Sequence, residues 1–166
     1  MDPFFDEKLV AILSKGCSNY IAKHLQVSAE REAYGPSKNE GLCYESCQSV
    51  NIHGEVEATI YFGMDGYTRL KLLPRMAEKL HPESAVKGMV DSILLEFSNQ
   101  MGAEIVNELH ASNFHSELGT PENLNNKLIP IDLERYRQYI IIFFIRDRRA
   151  HEYLGRIYVV FAVKKY

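Results

Sequence analysis

Cysteine is scarce in this chain: Cys17, Cys43 and Cys47 are the only three in 166 residues. An odd number that small does not staple a fold of this size, so free thiols are expected. Cys43 and Cys47, four apart, would share one side of a helix or strand, but no companion pair at zinc-ligand spacing follows, and a structural zinc is not expected. His24, His53, His81, His110, His115 and His151 are scattered, with no His-Glu-x-x-His pattern, and read as surface residues rather than metal ligands. Nothing approaches the roughly 20 consecutive apolar residues of a membrane helix. The opening Met1-Asp2-Pro3-Phe4-Phe5-Asp6 lacks the cationic and apolar parts of a signal peptide, so a cytoplasmic location is expected. A large excess of either charge is missing too. The 19 Lys and Arg against 22 Asp and Glu leave a net charge of -3, which argues against broad nucleic-acid binding through phosphate neutralisation. Gly-rich phosphate loops, a Gly-x-Ser-x-Gly elbow and Cys/His pairs at a known catalytic spacing are all missing, which removes the common enzyme signatures.

What remains is an ordinary globular composition, 46% apolar and 25% charged, long enough for one core and short for two, so residues 1–166 are expected to form a single domain. Phe5, Leu9, Ile12, Leu13, Tyr20, Ile21 and Leu25 step by three and four and predict an amphipathic helix over about residues 5–26. Residues 27–42 are polar and broken by Gly35, Pro36 and Gly41, and read as an exposed connection with at most one short strand. Tyr44 to Ile52, Val56 to Phe62 and Tyr67 to Leu73 read as three antiparallel strands, the last two joined by a tight turn at Asp65-Gly66. Pro74 then suits the first turn of a short helix to Leu80, and Pro82 resets the chain.

The next segment is the most informative. Val86, Val90, Ile93, Phe97, Met101, Ile105 and Leu109 predict a helix from about Glu83 to His110 with one strong apolar face. At about 3.6 residues per turn, Gly88, Ser92, Glu96, Asn99 and Ala103 gather on the other side, with Leu95 and Val106 beside them. That second face sets a carboxylate and a carboxamide among small neighbours, a ridge on which another surface could dock. Phe114 to Leu118 reads as a strand, Gly119-Thr120-Pro121 as a break, and Tyr139 to Ile145 with Leu154 to Val163 as a terminal hairpin. Segregated helices and strands of this kind predict an α+β fold, a mainly antiparallel sheet packed against long helices.

At Glu96-Phe97-Ser98-Asn99 the sequence resembles the CheX branch of the CheC/CheX/FliY family of bacterial chemotaxis proteins. Its carriers are Ala58-Thr59-Ile60-Tyr61-Phe62-Gly63 through Leu70-Lys71-Leu72-Leu73-Pro74, the helix Ser92-x-x-x-Glu96-x-x-Asn99, and Pro121. The family pattern is Asp or Ser, three residues, Glu, two residues, Asn, then about twenty-two residues and Pro; this chain has one fewer before Pro121. Glu-x-x-Asn recurs at Glu104/Asn107 and Glu122/Asn125, but only Glu96/Asn99 has Ser92 before it, Pro121 after it and a small-residue face around it. The family commonly has Gly four residues after the Asn; here Ala103 stands there and Gly102 precedes it.

The resemblance implies a phosphatase acting on the aspartyl-phosphate of a CheY-like response regulator. Glu96 would pair with the regulator's active-site lysine, Asn99 would hold the attacking water, and Ser92 and Ala103 would lie in the contact as small residues. The Mg²⁺ that offsets phosphate charge would belong to the partner's receiver domain, with no cofactor in this chain. A homodimer joined across a sheet edge is also implied, with the terminal hairpin or the strands from Tyr44 to Phe62 as surfaces for it. Two other classes compete: a non-catalytic module of the same fold that binds a receiver or flagellar-switch component, and a small-ligand sensor with a pocket between sheet and helices.

Overall fold

The computed structural model describes residues 3–80 and 89–165. The elements run α1 (Pro3–Leu25), β1 (Val27–Ser37), β2 (Gly41–Leu42), β3 (Ser46–Gly54), β4 (Ala58–Met64), α2 (Gly66–Leu80), α3 (Val90–Ala111), β5 (Ser116–Leu118), β6 (Glu122–Asn123), β7 (Ile129–Pro130), β8 (Tyr136–Asp147) and β9 (Tyr153–Lys164). One antiparallel sheet takes the order β1-β8-β9-β4-β3-β5, with β6 also on β3, and a small separate ladder joins β2 to β7. This is the α+β class that the segregated pattern predicts.

Alternation decides which face of the sheet carries the helices. Ile141, Phe143 and Ile145 of β8 and Ile157, Val159, Phe161 and Val163 of β9 turn inward, where they meet Leu9, Leu13 and Ile21 of α1, Leu72 and Met76 of α2, and the apolar stripe of α3. On the opposite face Val160 and Ala162 join Leu42, Cys47, Ile129 and Ile131 in a smaller core beneath the two loop segments. Burial pushes the Cys47 thiol up to about 12, with Cys43 adding to the shift, while Cys43 itself is exposed and lies before the strand. The two thiols therefore do not share one side as their spacing suggests, and all three cysteines are free.

Two segments depart from the sequence reading. Residues 27–37 form an eleven-residue strand paired with β8 from Val27↔Asp147 to Ser37↔Gln138, with a register shift between Arg31 and Ala33. Its side chains are mostly exposed, so no alternation marks it; the free backbone groups along β8 make it a strand. The expected third strand over 67–73 is instead the start of α2. Asp65 does not turn a hairpin but caps the helix: its Oδ1 accepts from Thr68 N at 2.8 Å and its carbonyl from Arg69 N at 3.0 Å. Thr68, Leu72 and Met76, all fully buried, then step by four along one face, and Pro74 lies inside the helix rather than at its start. The pairing also encloses the two surfaces expected to carry a dimer. Both strands of the terminal hairpin are flanked on each side, β3 and β4 lie between neighbours, and β1 is the long edge left open among the described strands.

The β8–β9 turn locks onto the end of α1. Gln26, at φ 53°, ends the helix in the left-handed region, and Arg75 Nη1 donates to the carbonyls of Leu25 at 3.0 Å and Gln26 at 3.4 Å. Arg148 reaches the Ala22 carbonyl at 2.7 Å. These guanidinium groups satisfy carbonyls that a helix end leaves without partners. Asp147 completes the joint: it accepts from the Ala150 and Arg149 amides and is bridged by Arg75, which together hold its carboxyl down at about 2 instead of 3.8. A carboxyl depressed on folding contributes stability that is present above its ordinary range and fades as pH falls toward the folded value. In urea titrations the wild type should therefore exceed Asp147→Asn in stability near neutral pH, with the gap closing between about pH 4 and pH 2. A gap of constant size would rule out the ionised joint.

Candidate functional site

The described α3 begins at Val90, so the expected start at Glu83, and Gly88 of the ridge, lie outside the described residues. From Val90 onward the helix follows the periodicity. Ile93, Leu94, Phe97, Ser98, Met101, Gly102, Ile105, Val106 and Leu109 are buried against the sheet and α1, and the remaining arc faces outward. Ser92, Glu96 and Ala103 are exposed and Asn99 is half-buried. At 3.6 residues per turn these four fall within roughly 60° of one another around the helix axis. The ridge read from the sequence is therefore one continuous outward strip, and a surface laid along it would meet the four in turn.

Gly102 does not stand in for the glycine expected one residue later. A Cβ built on Gly102 would lie 2.8 Å from Leu118 Cδ1 and 3.2 Å from Val50 Cγ2, so its missing side chain serves the packing of α3 on the sheet. Ala103, one residue on, is exposed, so the strip carries a methyl group at that position.

Glu96 and Asn99 sit one turn apart and are held very differently. Glu96 Oε1 accepts from Gln100 Nε2 at 3.1 Å, an i,i+4 contact along the helix. Gln100 is fixed in turn by Tyr20 of α1, whose hydroxyl donates to Gln100 Oε1 at 2.8 Å. Among the described residues the Asn99 carboxamide has no hydrogen-bond partner, so both its donor and its acceptor remain available. The arrangement is a tethered anion next to an uncommitted amide. Such an amide does not titrate near neutral pH, but it can accept from one group while donating to another.

The loop after Pro121 pins the start of the helix. Asn125 Nδ2 donates to Asp91 Oδ1 at 3.2 Å, while its Oδ1 accepts from Cys47 N at 2.8 Å and Gln48 Nε2 at 3.0 Å. Asn125 is therefore spoken for, which separates the Glu122/Asn125 recurrence from the free amide at Asn99. Glu104 and Asn107 lie farther along α3, half-buried and exposed. Gln100 and Tyr20 were not singled out by the sequence reading. Gln100 could have been found as the residue four past Glu96, but Tyr20 looks like any other core position of α1.

Among the described residues no three His, Cys, Asp or Glu side chains come together as a metal site, and no helix is long and apolar enough to cross a membrane. A cavity of about 740 Å³ lies at the far end of α1, lined by Lys23, His24, Arg75, Glu78, Asp147 and Arg149 among others. None of the residues on the α3 strip lines it.

Comparison with known proteins bears on the whole chain. A family model described as chemotaxis phosphatase CheX matches residues 46–145, a span that contains all of the strip. No curated protein sequence matches the chain. Among solved structures the fold is similar to a CheX chemotaxis protein from Desulfovibrio desulfuricans, with a TM-score of 0.74 at 12% identity over 95% of this chain and 99% of that one. It is also similar to the CheX of a CheX–CheY–BeF3–Mg²⁺ complex from Borrelia burgdorferi, with a TM-score of 0.66 at 19% identity over 94% and 97%. FliY from Thermotoga maritima aligns with a TM-score of 0.67 at 11% identity over 99% and 91%. Identities this low carry the fold and nothing finer.

Proposed function

Since the chain belongs to the CheX family of chemotaxis phosphatases, we propose that it accelerates hydrolysis of the aspartyl-phosphate of a CheY-like receiver, using the outward strip of α3. The observation that carries this reading is the contrast between Glu96, held by Gln100, and Asn99, free to bind water one turn away. The Borrelia burgdorferi relative solved with CheY, BeF3 and Mg²⁺ supports a receiver as the partner.

Hydrolysis of an acyl phosphate requires a water in line with the phosphorus and compensation of charge on the phosphoryl oxygens. The water oxygen forms the new bond to phosphorus as the bond to the aspartyl oxygen breaks, giving a carboxylate and dihydrogen phosphate. The water's proton goes to the phosphate, so the helper protein need supply no base. Asn99 accepts one hydrogen of the water and fixes its approach, which replaces a search through orientations by one geometry. Glu96 meets the lysine of the receiver and sets α3 over the phosphorylated aspartate. Ser92 and Ala103 let the two surfaces close along the strip. Mg²⁺ is supplied by the receiver, and this chain contributes no cofactor. The reaction takes place in the cytoplasm. A homodimer belongs to the same reading, with β1 as the edge through which two copies would join.

The test is the decay of a phosphorylated receiver, timed with and without this protein in the presence of Mg²⁺. Catalytic amounts should shorten the lifetime of the phosphate. Binding without any change in lifetime would replace the enzyme by an interaction module of the same fold.

A further inference from the structure

The bond network behind Glu96 begins on a different helix. Tyr20 is held in α1 with its ring 5.1 Å from Phe97 and 4.3 Å from His24, so its hydroxyl reaches α3 from a fixed base. It donates to Gln100 Oε1 at 2.8 Å, and Gln100 Nε2 donates to Glu96 Oε1 at 3.1 Å. The direction of this relay is set by chemistry. An ionised carboxylate only accepts, so the amide must turn its NH₂ toward Glu96 and its oxygen toward Tyr20. Burial, followed by the negative charges of Glu96 and Glu104, raises the Tyr20 pKa, and the hydroxyl keeps the proton it donates.

We propose that Tyr20 and Gln100 are positioning residues for partner binding, a two-link relay that presets the Glu96 carboxylate for the lysine of an arriving receiver. The proposal deepens the functional reading above and rests on its assignment of Glu96 as the anchor. A glutamate on an open helix face samples several rotamers, and freezing them on contact weakens binding. Here one oxygen is already tied by a neutral amide, which leaves the charge intact and the second oxygen without a hydrogen-bond partner among the described residues. The tie also makes the packing of α1 against α3 part of the docking surface, although α1 lies behind the strip.

The experiment measures binding of a BeF3-activated receiver, together with steady-state hydrolysis, for the wild type, Gln100→Leu, Tyr20→Phe, Glu96→Ala and the double variant Glu96→Ala/Gln100→Leu. Gln100→Leu should raise Kd roughly three- to tenfold, the loss of one hydrogen bond to a charged group at a partly exposed site. The loss should appear in KM, with kcat at saturating receiver falling by less than about twofold. Tyr20→Phe removes only the hydroxyl oxygen and should shift Kd in the same direction by less, which keeps the test valid if leucine at 100 disturbs the helix. In the Glu96→Ala background Gln100→Leu should add nothing, whereas a merely structural role would cost the same in both backgrounds. Equal penalties in the two backgrounds, or a Kd unchanged by both Gln100→Leu and Tyr20→Phe, overturn the relay and leave the anchor standing. A Glu96→Ala variant that binds as tightly as the wild type overturns the anchor and the relay together. Tight binding without hydrolysis by the wild type, with the relay effects intact, supports the relay and removes only the catalytic part of the functional reading.

Discussion

Replacing Asn99 by alanine should reduce acceleration of receiver dephosphorylation about a hundredfold while leaving the affinity for a BeF3-activated receiver within about twofold. The asymmetry follows from how the two side chains are held. Glu96 is tied to Gln100, and under the proposed mechanism it would act in the ground state, as an anchor that the complex needs before and after hydrolysis. Asn99, uncommitted among the described residues, would under the same proposal matter only when a water must be held in line, so its removal should act on the barrier and not on docking. Asn99→Asp provides the second comparison. Aspartate has nearly the same shape, but it cannot donate and it brings negative charge toward a phosphoryl group that is already anionic, so it should be no better than alanine. Single-turnover decay of the phosphorylated receiver at saturating enzyme separates these effects from binding. An Asn99→Ala variant with wild-type turnover would falsify the water-positioning role. An aspartate variant that retained activity would point to a base, which the present mechanism does not use.

The strip was legible in the sequence because its cause is local. Six turns of three-and-four spacing place Ile93, Phe97, Met101 and Ile105 inward, and geometry then sends Glu96 and Ala103 outward without reference to the rest of the molecule. β1 was missed because its cause lies elsewhere. Glu30 to Tyr34 are exposed on both faces, and the strand exists because the amides and carbonyls of residues 138–147 of β8 need partners. The first half of α2 reads as a strand because Leu70, Leu72 and Leu73 crowd together after Asp65-Gly66, a dipeptide that also makes hairpin turns, whereas the short helix expected from Pro74 to Leu80 lies within the same element. The signals that mattered were the Asp65 side chain at capping distance from Thr68 and the four-residue step through Leu72 to Met76. The relay to Glu96 was beyond any local pattern, since its first link joins residues 80 apart in sequence. Gly102, one residue before Ala103, could be noticed in the sequence. That Gly102 faces Leu118 and Val50 required the packing of α3 on β3 and β5.

The largest effect on stability should come from the smallest substitution, Gly155→Ala, with a loss of about 2–4 kcal/mol in urea unfolding. Two independent causes act at this one position. Gly155 sits at φ 116°, a conformation that a residue with a Cβ rarely adopts. The added methyl would also overlap Thr68 Oγ1 and lie 2.7 Å from Thr68 Cβ. Thr68 has little room to yield. It is fully buried, its amide is tied to Asp65 at 2.8 Å, and its hydroxyl accepts from Arg156 N at 3.2 Å. Moving it would lift the first turn of α2 from β9 and break the cap that starts the helix. Against this stands only the smaller entropy of an unfolded chain with alanine, a gain of about 0.4–1 kcal/mol. Gly35→Ala is the matched control, because a Cβ there meets nothing within 4 Å and the residue lies on the open edge strand. It should leave stability unchanged or raise it by up to about 1 kcal/mol. A Gly155→Ala variant within about 1 kcal/mol of the wild type would mean that Thr68 and the backbone at 155 relax together, and that α2 is not fixed to the sheet at this point.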